Sequence, residues 1–217
     1  MDILNFISWI KAGKYSPTMP ADAITVVGVP NPTRGDAYLP VTVPVTALQT
    51  NIGKLLGGGI VVAEWDENGV KKALIASLTN LSFVAPWTIP AYDTTLIGPT
   101  AQSFSNGSTN TDAIIAQTGV PATTAYAAGR ARLYLGGGFT DWYLPALWKL
   151  VLCYNSAAIV NKVLGDVNGF SYINFNYWSS TEFVGNAAWG KNFSNGNQVG
   201  FNKTNNFQVR AVRIHTL

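Results

Sequence analysis

The sequence predicts an α+β domain preceded by a proline-rich arm. Three stretches with helical spacing lie between residues 109 and 165, the part after residue 174 is mostly β-patterned, and six prolines punctuate the first 50 residues. Scattered helices ahead of a largely β C-terminal part suggest α+β rather than alternating βα units. At 217 residues the chain can form one large domain, or one domain with a smaller appendage. With 47% hydrophobic and 12% charged residues it can bury a sizeable core, which argues against wholesale disorder.

In the first 50 residues Pro17, Pro20, Pro30, Pro32, Pro40 and Pro44 alternate with the β-branched runs Ile24-Thr-Val-Val-Gly-Val and Val41-Thr-Val-Pro-Val-Thr. Proline removes a ladder donor and confines such strands to edges or bulges. Residues 1–56 read as an extended arm or small docking and oligomerisation region; the alternative is an ordinary N-terminal strand pair of the main domain. Gly57-Gly-Gly59 reads as a hinge into a domain spanning 57–217. Ile60-Val-Val-Ala-Glu-Trp and Val70-Lys-Lys-Ala-Leu-Ile-Ala-Ser form a hairpin across the turn Asp66-Glu-Asn-Gly69. That turn resembles part of a calcium loop but lacks the remaining oxygen ligands, which favours a plain turn.

Thr109 with Asp112 fits a capping box for a first helix that stops at Gly119. Thr123 to Leu135 is alanine-rich, with Tyr126, Arg130 and Tyr134 at helical spacing, and Gly136-Gly-Gly138 then reads as a flexible turn. A third helix takes Pro145 in its first turn and ends at Gly165. Leu147, Trp148, Val151, Leu152, Ile159, Val163 and Leu164 form its apolar face.

Charge and chemistry exclude several classes. A net charge of +3 with no basic run longer than Lys71-Lys72 argues against nucleic acid as a partner. The lone Cys153, in an apolar helical run, leaves no disulfide framework or cysteine metal cluster and reads as a buried structural thiol. His215 is the only histidine, so a histidine-based triad or metal site is not expected. Glu182 has no second carboxylate near it in sequence, which favours a hydrogen-bonded structural role over a catalytic acid. The expectation is a protein that is not an enzyme and needs no cofactor or metal. The N-terminus lacks the basic region and long apolar core of a signal peptide, and no apolar stretch approaches the roughly 20 residues that span a bilayer. The chain is expected to stay in the cytosol or to leave as part of a particle, without inserting in a membrane.

The segment from Asn174 to Arg213 is the most informative. It holds nine asparagines, against ten in the preceding 173 residues. Asparagine is a poor strand former and an ordinary turn residue, so this density points to a binding surface. Asn195-Gly196 is a strong two-residue hairpin signal. It predicts pairing of Ser194 with Asn197, Asn192 with Val199 and Lys191 with Gly200. One face then carries Gly190, Asn192, Ser194, Asn197, Val199 and Phe201. The other carries Trp189, Lys191, Phe193, Gln198, Gly200 and Asn202, and Trp189 with Phe193 makes it the core side.

Asp141-Trp-Tyr-Leu-Pro145 before a helix, then Tyr177-Trp-Ser-Ser-Thr-Glu182, Ala188-Trp189, Phe193, Gly196 and Val209-Arg-Ala-Val-Arg213, resemble a C-type lectin-fold domain. The pattern is similar to the variable proteins of diversity-generating retroelements, and the resemblance covers about residues 57–217. It implies a C-type lectin-like fold of small antiparallel sheets with two to three helices, often virus-encoded and displayed at a tail tip. In that family an error-prone reverse transcriptase alters template adenines, chiefly in AAC or AAT codons. Such changes reach most residue types but not Lys, Glu, Gln, Trp or Met. The outward hairpin face, Phe183 to Asn186 and Thr204 to Phe207 contain only reachable residues.

The resemblance implies a hypervariable segment over about 174–208. Its ligand-binding residues would be Asn174, Asn176, Phe183, Val184, Gly185, Asn186, Gly190, Asn192, Ser194, Asn195, Asn197, Val199, Gly200, Phe201, Asn202, Thr204, Asn205, Asn206 and Phe207. Trp142, Trp148, Trp178, Trp189, Phe193, Arg210 and Arg213 would be the scaffold, with the tryptophans in the core. The partner would be a host-surface protein or glycan, and the N-terminal region would dock on a virion tail tip or fibre or drive homo-oligomer formation. The alternative is a fixed structural protein of a virion whose Asn-rich tail packs on a neighbouring subunit. Formylglycine-generating enzymes also use this fold, but their reactive cysteine pair is absent. The Glu-Pro-Asn and Trp-Asn-Asp type sequences of calcium-dependent sugar binding are absent as well.

Overall fold

The computed structural model describes residues 23–30, 38–44, 50–166 and 175–217. The chain divides into two compact units, Met1–Thr50 and Asn51–Leu217. In the first, β1 (Ala23–Pro30) pairs antiparallel with β2 (Tyr38–Pro44) as a separate two-stranded sheet. The second unit starts six residues before the expected Gly57. The Asn51 backbone N–H and carboxamide both bond to the Glu64 carboxylate, and the Gly53 N–H bonds to the Val61 carbonyl, which ties this stretch to the domain.

The second unit is α+β. Its strands are β3 (Leu55–Leu56), β4 (Gly59–Glu67), β5 (Val70–Ala76), β6 (Ser82–Ala85), β7 (Asn176–Val184), β8 (Ala187–Asn192), β9 (Gln198–Asn202), β10 (Phe207–Val209) and β11 (Val212–Thr216). One sheet has the order β11-β5-β4-β3; the other is mixed, β6-β10-β7-β8-β9, with β10 parallel to β7. The β4–β5 turn is where positive φ is needed twice, at Asn68 (55°) and Gly69 (80°), as a type I′ hairpin requires.

Successive residues of β4 and β5 point to opposite faces, and both faces are covered. Val61, Ala73 and Ile75 join a cluster with Trp87, Ile114, Tyr126, Trp142 and Trp178. Ile60, Leu74 and Ala76 join a second cluster with Leu150, Cys153, Val160, Leu164, Tyr177 and Phe193. A strand buried on both sides must be apolar throughout, which explains the unbroken run of apolar residues in each. The lone thiol of Cys153 is buried in the second cluster.

The helices depart from their expected ends for local reasons. Helix α1 is Gly107–Thr118, capped by Asn106, whose side chain accepts from the Thr109 N–H. The cap therefore lies three residues before the expected Thr109, and Asp112 pairs with Arg132 instead. Gly119 ends the helix as expected. Helix α2 covers only Ala127–Arg132, because Tyr126 is extended and buried and the Ala127 N–H is taken by the Pro86 carbonyl. The expected third helix is two: α3 (Leu147–Asn155) and α4 (Ala157–Asp166). At the break, the Ser156 hydroxyl donates back to the Leu152 and Cys153 carbonyls, a bond that bends helices. Pro145 stays outside α3, with its carbonyl accepting the Ser180 N–H.

The two triglycine segments pack on each other and are neither a free hinge nor a flexible turn. A Cβ at Gly58 would overlap the Gly136 carbonyl, and Gly58 and Gly137 both have positive φ. Backbones approach this closely only where both lack side chains.

Trp178 is fully buried and its indole N–H donates to the Ala85 carbonyl at 2.8 Å, whereas Trp148 is 62% exposed. Trp178→Phe removes buried volume and the bond to that carbonyl, so it should cost about 2–4 kcal/mol. Trp148→Phe should cost under about 1 kcal/mol. Urea unfolding midpoints with unchanged slopes would check both, and equal losses would refute this division between core and surface.

Candidate functional site

A buried ion pair lies beneath the loops that carry the expected ligand-binding residues. Glu182, in β7, and Lys203, just after β9, are fully shielded from solvent with Nζ and Oε1 2.7 Å apart. Lys203 Nζ also donates to the Thr95 carbonyl at 2.8 Å and sits 4.8 Å from the centre of the Trp87 ring. The Glu182 carboxylate accepts the backbone N–H groups of Ile97 (3.0 Å) and Gly98 (2.8 Å). The Lys203 N–H donates to the Asn186 carbonyl, and the Lys203 carbonyl accepts from the Trp87 N–H. Three segments therefore converge here: residues 94–98, the 183–186 turn and the turn after Asn202. Both Glu182 oxygens are engaged by backbone donors or the ammonium, which gives this carboxylate an anchoring role.

The hairpin carrying the asparagines has a longer tip than a two-residue turn. Asn192 and Asn197 close it, with the Asn192 N–H donating to the Asn197 carbonyl and the Gly196 N–H to the Asn192 carbonyl. The Asn192 carboxamide accepts the N–H groups of Ser194 and Asn195, and its NH₂ donates to the Asn176 side chain at 2.9 Å. Gly196 alone in the tip has positive φ, so the turn is not type I′. Phe193 leaves the ladder because its ring is buried between Tyr177 and Tyr154. Lys191 is buried as well, donating to the Gly196 carbonyl at 2.8 Å with its ammonium over the Tyr154 ring, and burial lowers its pKa.

The register is Lys191 with Gln198, Gly190 with Val199 and Ala188 with Phe201. Each partner lies two residues from the expected one, and an even shift leaves every side chain on its expected face. What changes is that neither face meets the core along its whole length: Lys191 and Phe193 are buried on the expected core face, and Gly190 is buried on the other. Phe201 and Phe207 are half-buried against Trp178, with ring centroids 6.4 and 4.5 Å away. Gly190 is buried beneath Phe201, so a side chain there would press on that ring. Trp189, expected in the core, is half-buried between Phe104 and Phe183, and Gln198 on the same face is exposed. Trp148 is correspondingly a surface residue that packs on Phe104. Each face of the hairpin thus has a covered and an open part.

Of the expected ligand-binding residues, Phe183, Val184, Asn186, Ser194, Asn195, Asn197, Val199, Gly200, Asn202, Thr204 and Asn206 are exposed. Asn176, Gly185, Asn192, Phe201, Asn205 and Phe207 are half-buried, and Asn174 lies outside the described residues. Trp142, Arg210 and Arg213 are buried. Arg213 makes a two-point ion pair with Asp141 and stacks 3.8 Å from the Phe139 ring centre. Sequence reasoning missed the 94–104 segment, some 80 residues from the strands it supports. A usable signal existed: Glu182, Lys191 and Lys203 are the only charged residues from 174 to 208, and all three are buried. Among the described residues, no group of histidine, cysteine or acidic side chains could hold a metal ion.

No protein-family model matches this chain, and no curated protein matches it. Among solved structures it is similar to a fimbrial protein from Bacteroides ovatus, at 19% identity and a TM-score of 0.41. The match covers 65% of this chain and 35% of that one, so the chain spans about a third of that protein's length.

Removing one member of a buried ion pair leaves the other unpaired, so Glu182→Gln and Lys203→Met should each cost about 3–5 kcal/mol. The double variant should recover part of the sum, and additive losses in a double-mutant cycle would contradict the coupling. Asn192→Ala should cost about 1 kcal/mol and broaden the amide signals of Ser194 and Asn195, while Asn197→Ala should leave both unchanged.

Proposed function

We propose that this chain is a ligand-binding protein of the C-type lectin-fold, retroelement-diversified kind, displaying a variable surface for receptor recognition from a virion or another surface. The reading rests chiefly on where charge sits in residues 174–208. The three charged side chains are buried supports, while the exposed positions carry carboxamides, hydroxyls, glycine, valine and phenylalanine. Lys and Glu are residue types that adenine alteration of asparagine codons does not produce. The uncharged remainder is the adaptable mix that antibody-like binding sites use. A frame anchored by Glu182–Lys203 and Trp178 lets surface side chains vary without unfolding the domain. The partner would be a host-surface protein or glycan, with no catalytic step involved.

Deep sequencing of codons 174–208 in a natural population tests this. Substitutions should cluster at asparagine-derived codons of the exposed residues and spare Glu182, Trp189, Lys191 and Lys203. Uniform codons, or changes spread evenly over buried and exposed positions, would leave a fixed structural protein as the better reading.

A further inference from the structure

We propose that the outer edge of β9, which no other described strand pairs, binds its partner by strand addition, taking an extended peptide segment of another protein as an extra strand of the sheet. The proposal rests on the binding-surface reading above and adds the form of the ligand. β9 is the last strand of the β6-β10-β7-β8-β9 sheet. The phase of its ladder is set at both ends: the Asn192 N–H donates to the Asn197 carbonyl, and the Lys203 N–H to the Asn186 carbonyl. In an antiparallel pair, bonded and non-bonded positions alternate. Val199 and Phe201 therefore turn their backbone groups toward β8, and Gln198, Gly200 and Asn202 turn theirs outward. The Asn202 carbonyl accepts from the Asn205 N–H. Among the described residues that leaves three outward N–H groups, at 198, 200 and 202, and the carbonyls of 198 and 200 for a partner.

Edge strands are normally guarded by lysine, proline, a bulge or a covering segment. Residues Gln198–Asn202 contain no charge and no proline, their register with β8 is continuous, and all but the half-buried Phe201 are exposed. The pattern of unpaired groups selects the ligand class. Donors and acceptors alternate at strand spacing, which an extended polypeptide complements and a phosphate, needing donors alone, does not. Side chains would add specificity, since Phe183 and Trp189 stand on the Gly200 face and Val199 on the other. A five-residue edge is too short to approach the about 1,200 Å² that a stable interface buries, which favours a peptide segment over a second copy of this chain. Main-chain bonding also survives any change of side chain, so a varying surface would keep a constant share of its affinity.

The probe is a phage-displayed library of random dodecapeptides panned on the purified chain, with the most enriched peptide synthesised. At saturation it should slow exchange of the Gln198, Gly200 and Asn202 amides by about tenfold or more, read by NMR without any variant. Gln198→Pro, which removes one outward donor, should weaken binding by about tenfold. Failure to enrich a peptide, or enrichment without protection of these amides, overturns strand addition. If the bound peptide leaves the amides unprotected but responds to Asn197→Ala and Val199→Ala, strand addition falls and the binding-surface reading stands; indifference to every β9 substitution sinks both. Protection that appears with rising protein concentration and no peptide, together with a dimer in sedimentation, assigns the edge to a second copy and overturns the proposal.

Discussion

The arrangement of the C-terminal surface depends on one buried contact, the Glu182–Lys203 ion pair. Removing two charges from water is costly, and such a pair is favourable only when its remaining hydrogen-bonding capacity is also met. Here it is: two backbone N–H groups and the ammonium satisfy the carboxylate, and a carbonyl and an aromatic face complete the shell of the lysine. Apolar residues of similar volume could match its stability but could not satisfy the donors at Ile97 and Gly98 or the acceptor at Thr95. The pair therefore fixes the path of three loops, and its value is geometric.

Around that contact the core is divided by a sheet with two covered faces. Alternate residues of β4 and β5 serve separate clusters, one rich in tryptophan and the other built with α3 and α4. β7 repeats the arrangement, with Tyr177 in one cluster and Trp178 in the other. A rigid interior of this kind has few ways to relax, because packed cores respond to volume changes in discrete steps. The hairpin and its flanking turns can then carry unusual sequence without loss of the frame beneath them.

The hairpin shows two uses of the same residue type. Asn192 caps the tip by accepting two backbone N–H groups, whereas Asn197 and Asn202 present side chains to solvent. Composition treats these positions alike, and only the backbone path separates a structural asparagine from a surface one. The buried charges of Glu182, Lys191 and Lys203 follow one principle: a charge is kept inside only where specific partners wait for it.

Much of the fold was legible in the sequence, because period and turn chemistry are local. The β4–β5 hairpin, the existence of the helices, the Gly119 stop and the alternation of β8 and β9 were all readable from neighbouring residues. The capping asparagine of α1, the break at Ser156 and the early start of the domain at Asn51 were not. The first two rest on short-range bonds, Asn106 with the Thr109 N–H and Ser156 with the Leu152 and Cys153 carbonyls, at positions where neighbouring residues offer competing caps and breaks; the third is settled by a contact made only in the folded chain, Asn51 with Glu64. Which parts of the hairpin meet the core were likewise undecidable from alternation, since period 2 separates faces without ranking them: Trp189 and Phe193 marked one face as core, and of the two only Phe193 is buried. The sequence by itself determined an asparagine-rich segment of few charges on an α+β domain. The tertiary structure decided that Glu182 reaches Lys203, that Phe104 supports Trp189 and that β9 ends the sheet, because contacts across 21 to 85 residues depend on topology and leave no local pattern.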